Sequence, residues 1–224
     1  MSKVKFDLRF VEIFYELGAL ERYLDSLENQ LPTIARQEEE KAYARLRNEK
    51  LKSDLAERDA ILQELYNLTE EVLPRFFRGA ILVTLWAIFE SAVIVIANEI
   101  RDQQKLTLTI NDLRGDFLER AKKYFDLVLK FRLTSNNRNW DRIRMLKVLR
   151  NALAHANGRM DHIRSEIDVR NIKKWETNDI GLSIENGNLL FSEQFVRQIL
   201  SVVYETLDDL TRRIFGEYPE PINW

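Results

Sequence analysis

Cysteine is absent from this chain of 224 residues and histidine occurs twice, at His155 and His162. Disulfides, thiolate nucleophiles and cysteine-built zinc sites are therefore excluded. A histidine-based metal centre would need carboxylates as its remaining ligands, and no carboxylates are spaced for one, so no metal or other cofactor is expected. Charge of one sign is also lacking: the net charge is only −2. A chain coated in positive potential is excluded, but a local excess is not. From Trp140 to Trp175 nine arginines and lysines face four acids, a field able to steer a phosphate-bearing partner. The N-terminal stretch MSKVKFDLRFVEIFYELGALERY has no uninterrupted apolar region before a small-residue cleavage site, which points to the cytoplasm. The most apolar run, ILVTLWAIFESAVIVIA at 81–97, is short for a membrane span and carries Glu90 at its middle. It reads as a central buried helix, with no membrane partner.

What is present is helical periodicity. Phe10, Ile13, Leu17, Leu20, Leu24, Leu27 and Leu31 recur at steps of three and four, which predicts a helix over 8–31 ending at Pro32. A charged helix is expected from about 34 to 73, with Ala42, Leu46, Leu55, Leu62 and Leu65 as its thin seam, forming a hairpin arm or a coiled-coil contact. Pro74 should break or kink the chain before a core helix at 75–101. Further helices are expected at 112–132, 140–156 and 192–215, the last with Ser192 as its cap. The connector KLTLTINDLRG could hold a short extended piece, and 134–139 reads as a loop. A hairpin is expected at 181–191 around Asn186-Gly187. The predicted fold class is all-α: a helical bundle with a long N-terminal helical arm over 1–74, a helical core over 75–224 and a small β-hairpin near the C-terminus.

The chemistry concentrates in LRNALAHANG, 149–158. On a helical wheel with Arg150 at zero, Met145, Leu146, Leu149, Ala152, Leu153 and Ala156 fall between roughly 200° and 320°, a core-facing sector. Arg144, Lys147, Arg150, Asn151 and His155 fall on the opposite side, so His155 is not a core histidine. Asn157 and Gly158 suit a helix C-cap. A histidine that exchanges protons near neutral pH, beside a guanidinium able to hold phosphate oxygens, suits phosphodiester chemistry. An ordinary solvated helix face carries the same residues, and the wheel does not choose between them. His162 reads as a surface histidine.

The segment RNALAH, Arg150 to His155, resembles the arginine, polar residue, spacer and histidine motif of the HEPN superfamily (higher eukaryotes and prokaryotes nucleotide-binding). WDRIRMLKVLRNALAHANG resembles that family's final core helix, and ILVTLWAIFESAVIVI its central helix, so the likeness spans about 75–215. The resemblance implies an HEPN-like bundle and a metal-independent endoribonuclease, as toxin or antiviral defence effector. Two motifs of a homodimer would line a shared cleft. It assigns phosphate binding and transition-state stabilisation to Arg150, the motif's polar position to Asn151 and acid–base work to His155. Single-stranded RNA would be the substrate and would leave a 2',3'-cyclic phosphate and a 5'-hydroxyl. Glu90 is then a candidate partner that positions Arg150 or His155, or a purely structural hydrogen-bonding group. Arg144, Lys147 and Arg159 are candidate RNA-binding residues. A cognate antitoxin or defence-system protein is an expected partner, and the exposed apolar character of Trp140 and Ile143 adds support for the dimer. A non-catalytic nucleotide- or RNA-binding module, or a protein-interaction module of the same fold, is the alternative.

Overall fold

The structure is a computed structural model that describes residues 10–47, 55–176 and 181–218. Among the described residues the chain is mostly helical, with one small two-stranded antiparallel sheet. Seven α-helices are described: α1 (Val11–Leu46), α2 (Leu55–Tyr66), α3 (Leu73–Gln103), α4 (Phe117–Lys123), α5 (Asn137–Ala156), α6 (Glu166–Glu176) and α7 (Glu193–Glu217). The strands β1 (Leu182–Glu185) and β2 (Asn188–Phe191) lie between α6 and α7. Two compact units are present: one from the described parts of Met1–Leu20, Thr84–Lys147 and Gln198–Trp224, the other from those of Glu21–Val83 and Val148–Arg197. Both draw residues from either side of position 74.

Helix α1 does not end at Pro32 as the sequence suggested, but runs through it to Leu46. An internal proline removes one backbone bond and crowds the preceding turn, at a cost of about 3 kcal/mol. Burial of Ile13, Leu17, Leu20, Leu24 and Leu27 before it, and of Ala42 and Leu46 after it, offsets that cost. The expected continuous helix over 34–73 is likewise replaced by the end of α1 and a separate α2. Its seam is different too: Leu55 and Leu62 are exposed, while Ile61 and Leu65 pack with Ala42 and Leu46. Residues 46 and 61 of one straight helix would stand roughly 22 Å apart, so their shared cluster means that α1 and α2 fold back on one another as a hairpin. Arg45 adds an exposed ion pair to Glu64 at 3.1 Å.

Pro74 does not break the chain either. A π-helical turn, Asn67–Val72, precedes it, with the Leu73 amide donating to the Leu68 carbonyl five residues back. The wider turn leads into α3, where the missing proline N–H falls in the first turn. The helical run Leu55–Gln103 is long and apolar enough to cross a membrane, and half of its most apolar stretch is buried inside the protein.

In the first unit, Trp86 packs edge-on against Phe117, Phe10 stacks on Phe215, and Phe14 meets Tyr204. The helix expected over 112–132 is shorter here. A 3-10 turn, Ile110–Asp112, is closed by a Thr109/Asp112 capping box, and α4 begins after Asp116, whose carboxylate caps the Glu119 amide. The connector before it, 106–109, forms no strand. Loop 134–139 is shorter than expected, because Asn136 accepts from the amides of Arg138 and Asn139 and starts α5 at Asn137. Trp140 and Ile143 are 6% and 0% exposed, which corrects the expectation of an apolar surface there.

In the second unit, Arg78 holds Glu28 through two parallel bonds of 2.8 Å and donates to the Phe191 carbonyl at 2.9 Å, tying α1, α3 and β2 together. The hairpin forms where the sequence placed it, in the register Leu182↔Phe191 to Glu185↔Asn188. Asn186 and Gly187, at φ 50° and 77°, supply the left-handed pair that a tight two-residue turn requires. Ser192 accepts from the Phe195 amide at 3.1 Å as the expected cap of α7.

Candidate functional site

Helix α5 buries the sector its periodicity marks: Met145, Leu146, Leu149, Ala152 and Ala156 are each at most 5% exposed, and Leu153 is half-buried. Asn151 and Arg150 are therefore half-buried and His155 is exposed. The helix stops where Asn157 and Gly158 take φ of 50° and 72°, and the Gly158 amide reaches back to the Ala152 carbonyl at 3.0 Å. From there the chain is strapped to the hairpin. Leu189 donates to the Gly158 carbonyl at 2.8 Å and Met160 to that of Gly187 at 2.9 Å. Two backbone bonds thus fix the entry into the 3-10 turn Met160–His162 and, beyond it, α6.

This local path brings the two histidines to one cleft. About 460 Å³ in volume, it is lined by Asn151, Ala152, His155 and Ala156 of α5 and by His162, Ile163, Arg164, Ser165 and Asp168. Both walls belong to the second unit. Ser165 caps α6, accepting from the Asp168 amide at 3.2 Å, so the positive end of an 11-residue helix borders the cleft. Arg150 donates through Nη1 to Asn151 Oδ1 at 3.0 Å. That bond occupies the amide oxygen and leaves the Asn151 N–H donors for a ligand. His162 Nε2 lies 3.6 Å from Asp161 Oδ2, and both side chains are more than half exposed. No side-chain hydrogen bond engages His155 among the described residues.

Compared with models of known families, with curated proteins and with solved structures, the chain finds no match. The site stands on its own geometry.

The other candidates from the sequence are distributed differently. Arg159 is exposed at an isolated bridge to Asn188, and its charge, after burial itself, lowers the pKa of the buried Arg75, against the opposing charge of Glu71. Glu90, Arg144 and Lys147 belong to the first unit. Glu90 accepts from the Trp86 indole at 2.8 Å, a partner one turn back in its own helix. Arg144 is exposed, 3.9 Å from Asp141. Lys147 is held by Asp116 at 2.6 Å. Burial pushes the Asp116 carboxyl up, but the bond and charge of Lys147 together with the Glu119 amide outweigh it, and its pKa is lowered.

His162, Arg164, Ser165 and Asp168 are the residues that sequence reasoning did not place in a site. Their signal was a helix start: Ser165 ahead of Glu166 and Asp168, with Lys173 and Lys174 at the far end, is a charge-complemented cap pattern. Among the described residues no group of three or more histidines and carboxylates is placed to hold a metal ion.

Proposed function

We propose that the chain is an endoribonuclease of the HEPN type, acting on single-stranded RNA without a metal and serving as a toxin or antiviral defence effector. One observation carries this reading: Asn151, His155, His162 and Arg164 line one cleft, with Arg150 bonded to Asn151. Internal transesterification needs a base for the ribose 2'-hydroxyl, an acid for the leaving 5'-oxygen, and positive charge on the phosphate. Two imidazoles and a guanidinium in one cleft match that list.

In the proposed reaction His155 takes the 2'-hydroxyl proton as the 2'-oxygen bonds to phosphorus. The bond from phosphorus to the 5'-oxygen breaks, and protonated His162 supplies the proton that makes the 5'-hydroxyl. The other product is a 2',3'-cyclic phosphate. Arg164 neutralises charge on the phosphate, while Arg150 stabilises the transition state directly or through the orientation of Asn151. Arg144, Lys147 and Arg159 are the proposed backbone contacts outside the cleft, and Glu90 a proposed positioning residue. A homodimer with motifs facing a shared cleft, a cytoplasmic location and a cognate antitoxin or defence protein complete the proposal.

A second reading, a non-catalytic nucleotide- or RNA-binding module, is favoured by the absence of Arg150 from the cleft lining. The separating experiment incubates the protein with a single-stranded RNA pool in EDTA beside His155→Ala and His162→Ala and identifies the product ends. Cyclic phosphate ends lost in both variants support the nuclease. Saturable RNA binding without cleavage by folded protein supports the binding module.

A further inference from the structure

A second cleft, of about 480 Å³, lies entirely within the first unit and is lined by Lys122, Asp126, Lys130, Phe131, Arg132, Leu133, Thr134, Asn137 and Trp140. Three cations meet one carboxylate there, in a chain whose net charge is −2. Among the described residues Lys122, Lys130 and Arg132 have no ion-pair partner. Trp140 is 6% exposed, and its indole Nε1–H is buried without an acceptor. A buried donor left unpaired costs about 1–3 kcal/mol, so the Trp140 side chain is held at the cleft wall by packing and not by a hydrogen bond.

The cleft wall is built, not incidental. Arg213 lies over the Phe131 ring at 5.0 Å and donates to the carbonyls of Arg132 and Leu133 at 2.6 and 3.3 Å. Its Nε is fixed by Asp209 at 2.9 Å. Just before this wall Lys130 adopts φ 57°, and the Phe131 amide closes back on the Phe125 carbonyl at 2.9 Å. Glycine is the usual residue at such a left-handed helix end. A lysine there accepts strain of about 1 kcal/mol and places a cation at the cleft instead. The N-terminal end of the 20-residue helix α5 adds positive potential at Asn137.

We infer that this cleft binds a linear polyphosphate group, as carried by a nucleoside di- or triphosphate or as inorganic polyphosphate, between Lys122, Lys130 and Arg132. The volume fits a small ligand. Several separated cations without ion-pair partners suit an anion with several charged oxygens better than a single carboxylate. The site is independent of the nuclease reading, because none of its residues lines the histidine cleft.

The test is calorimetric titration of the full chain at low salt with inorganic tripolyphosphate, ADP and adenosine. The expected result is saturable binding of tripolyphosphate and ADP and none of adenosine. Equal affinity for the first two assigns recognition to the phosphates, and tighter ADP binding extends it to the nucleoside. Lys122→Glu and Arg132→Glu, both at exposed positions, should each weaken binding roughly tenfold or more. His155→Ala, in the other cleft, should leave it unchanged. Absence of saturable tripolyphosphate binding, or affinity unmoved by both charge reversals, overturns the assignment.

Discussion

The two clefts are nearly equal in volume, about 460 and 480 Å³, yet their side chains are suited to different tasks. The cleft beside α5 holds two histidines, a serine, an aspartate and one arginine, groups that can move protons as well as attract charge. The cleft beside the α4 end holds two lysines, an arginine and one aspartate, whose excess positive charge attracts an anion but which include no proton carrier matched to neutral pH. Equal space with different titration chemistry separates a site proposed to transform its ligand from one proposed to hold it. Mutations should therefore separate the two along the same line, with rate effects confined to the first and affinity effects to the second.

The largest expected effect is in the histidine cleft. Loss of a positioned acid–base group costs about 10²–10⁴-fold in rate, so His155→Ala should reduce RNA cleavage by that order with polyphosphate affinity intact. His162→Ala should cost about 10²-fold and remove one limb of the pH–rate profile, measured with labelled single-stranded RNA. An unchanged profile would leave His162 as the surface histidine that its sequence position suggested.

The framework that holds the histidine cleft has its own weak point. Side chains of Arg78 and Glu28 are 19% and 11% exposed, so Glu28→Gln leaves a largely buried guanidinium half-paired. A loss of about 2–3 kcal/mol is expected, read as a fall in the denaturant midpoint. The smallest effect belongs to Asp116→Asn, which keeps a capping side chain on α4 but removes the charge facing Lys147. The pair is partly exposed, so the loss should be about 0.5 kcal/mol at neutral pH. Because the folded-state pKa of Asp116 is lowered, this contribution is present above an unfolded value near pH 4 and disappears as pH falls through the folded value. Wild type and variant should therefore converge in stability once the pH falls below the lowered folded-state value.

Much of the site's first wall was legible in the sequence. The α5 wheel separated the buried Leu146, Leu149 and Ala152 from the exposed His155, since a helix repeats its faces without regard to the rest of the chain. Asn186-Gly187 announced the hairpin because few other pairs tolerate two positive φ angles. The second wall was not legible. His162 reaches the cleft only because the chain turns at Asn157 and Gly158 and is then bonded to the hairpin, a tertiary constraint with no periodicity of its own. Helix α6 was obscured by its composition: Ile172 is fully buried, but Ile167 is 62% exposed, which blurs the apolar stripe.

Pro32 misled for a related reason. Propensity predicts a stop at Pro32, but packing of apolar residues on both sides outweighs one lost backbone bond. The same local reasoning placed Trp140 and Ile143 at the surface, although burial of the first α5 turns depends on elements distant in sequence. Glu90 was more legible than it first appeared. Trp86 stands four residues before it, within reach along one helix face, and that spacing already offered its carboxylate an indole donor.

Cleavage of single-stranded RNA in EDTA, comparing the parent with His155→Ala and mapping product ends, decides whether the histidine cleft is a nuclease site. Fragments with 2',3'-cyclic phosphate and 5'-hydroxyl ends are expected from the parent, reduced about 10²-fold or more in the variant. Intact RNA after incubation with folded parent protein, or equal cleavage by His155→Ala, would contradict it.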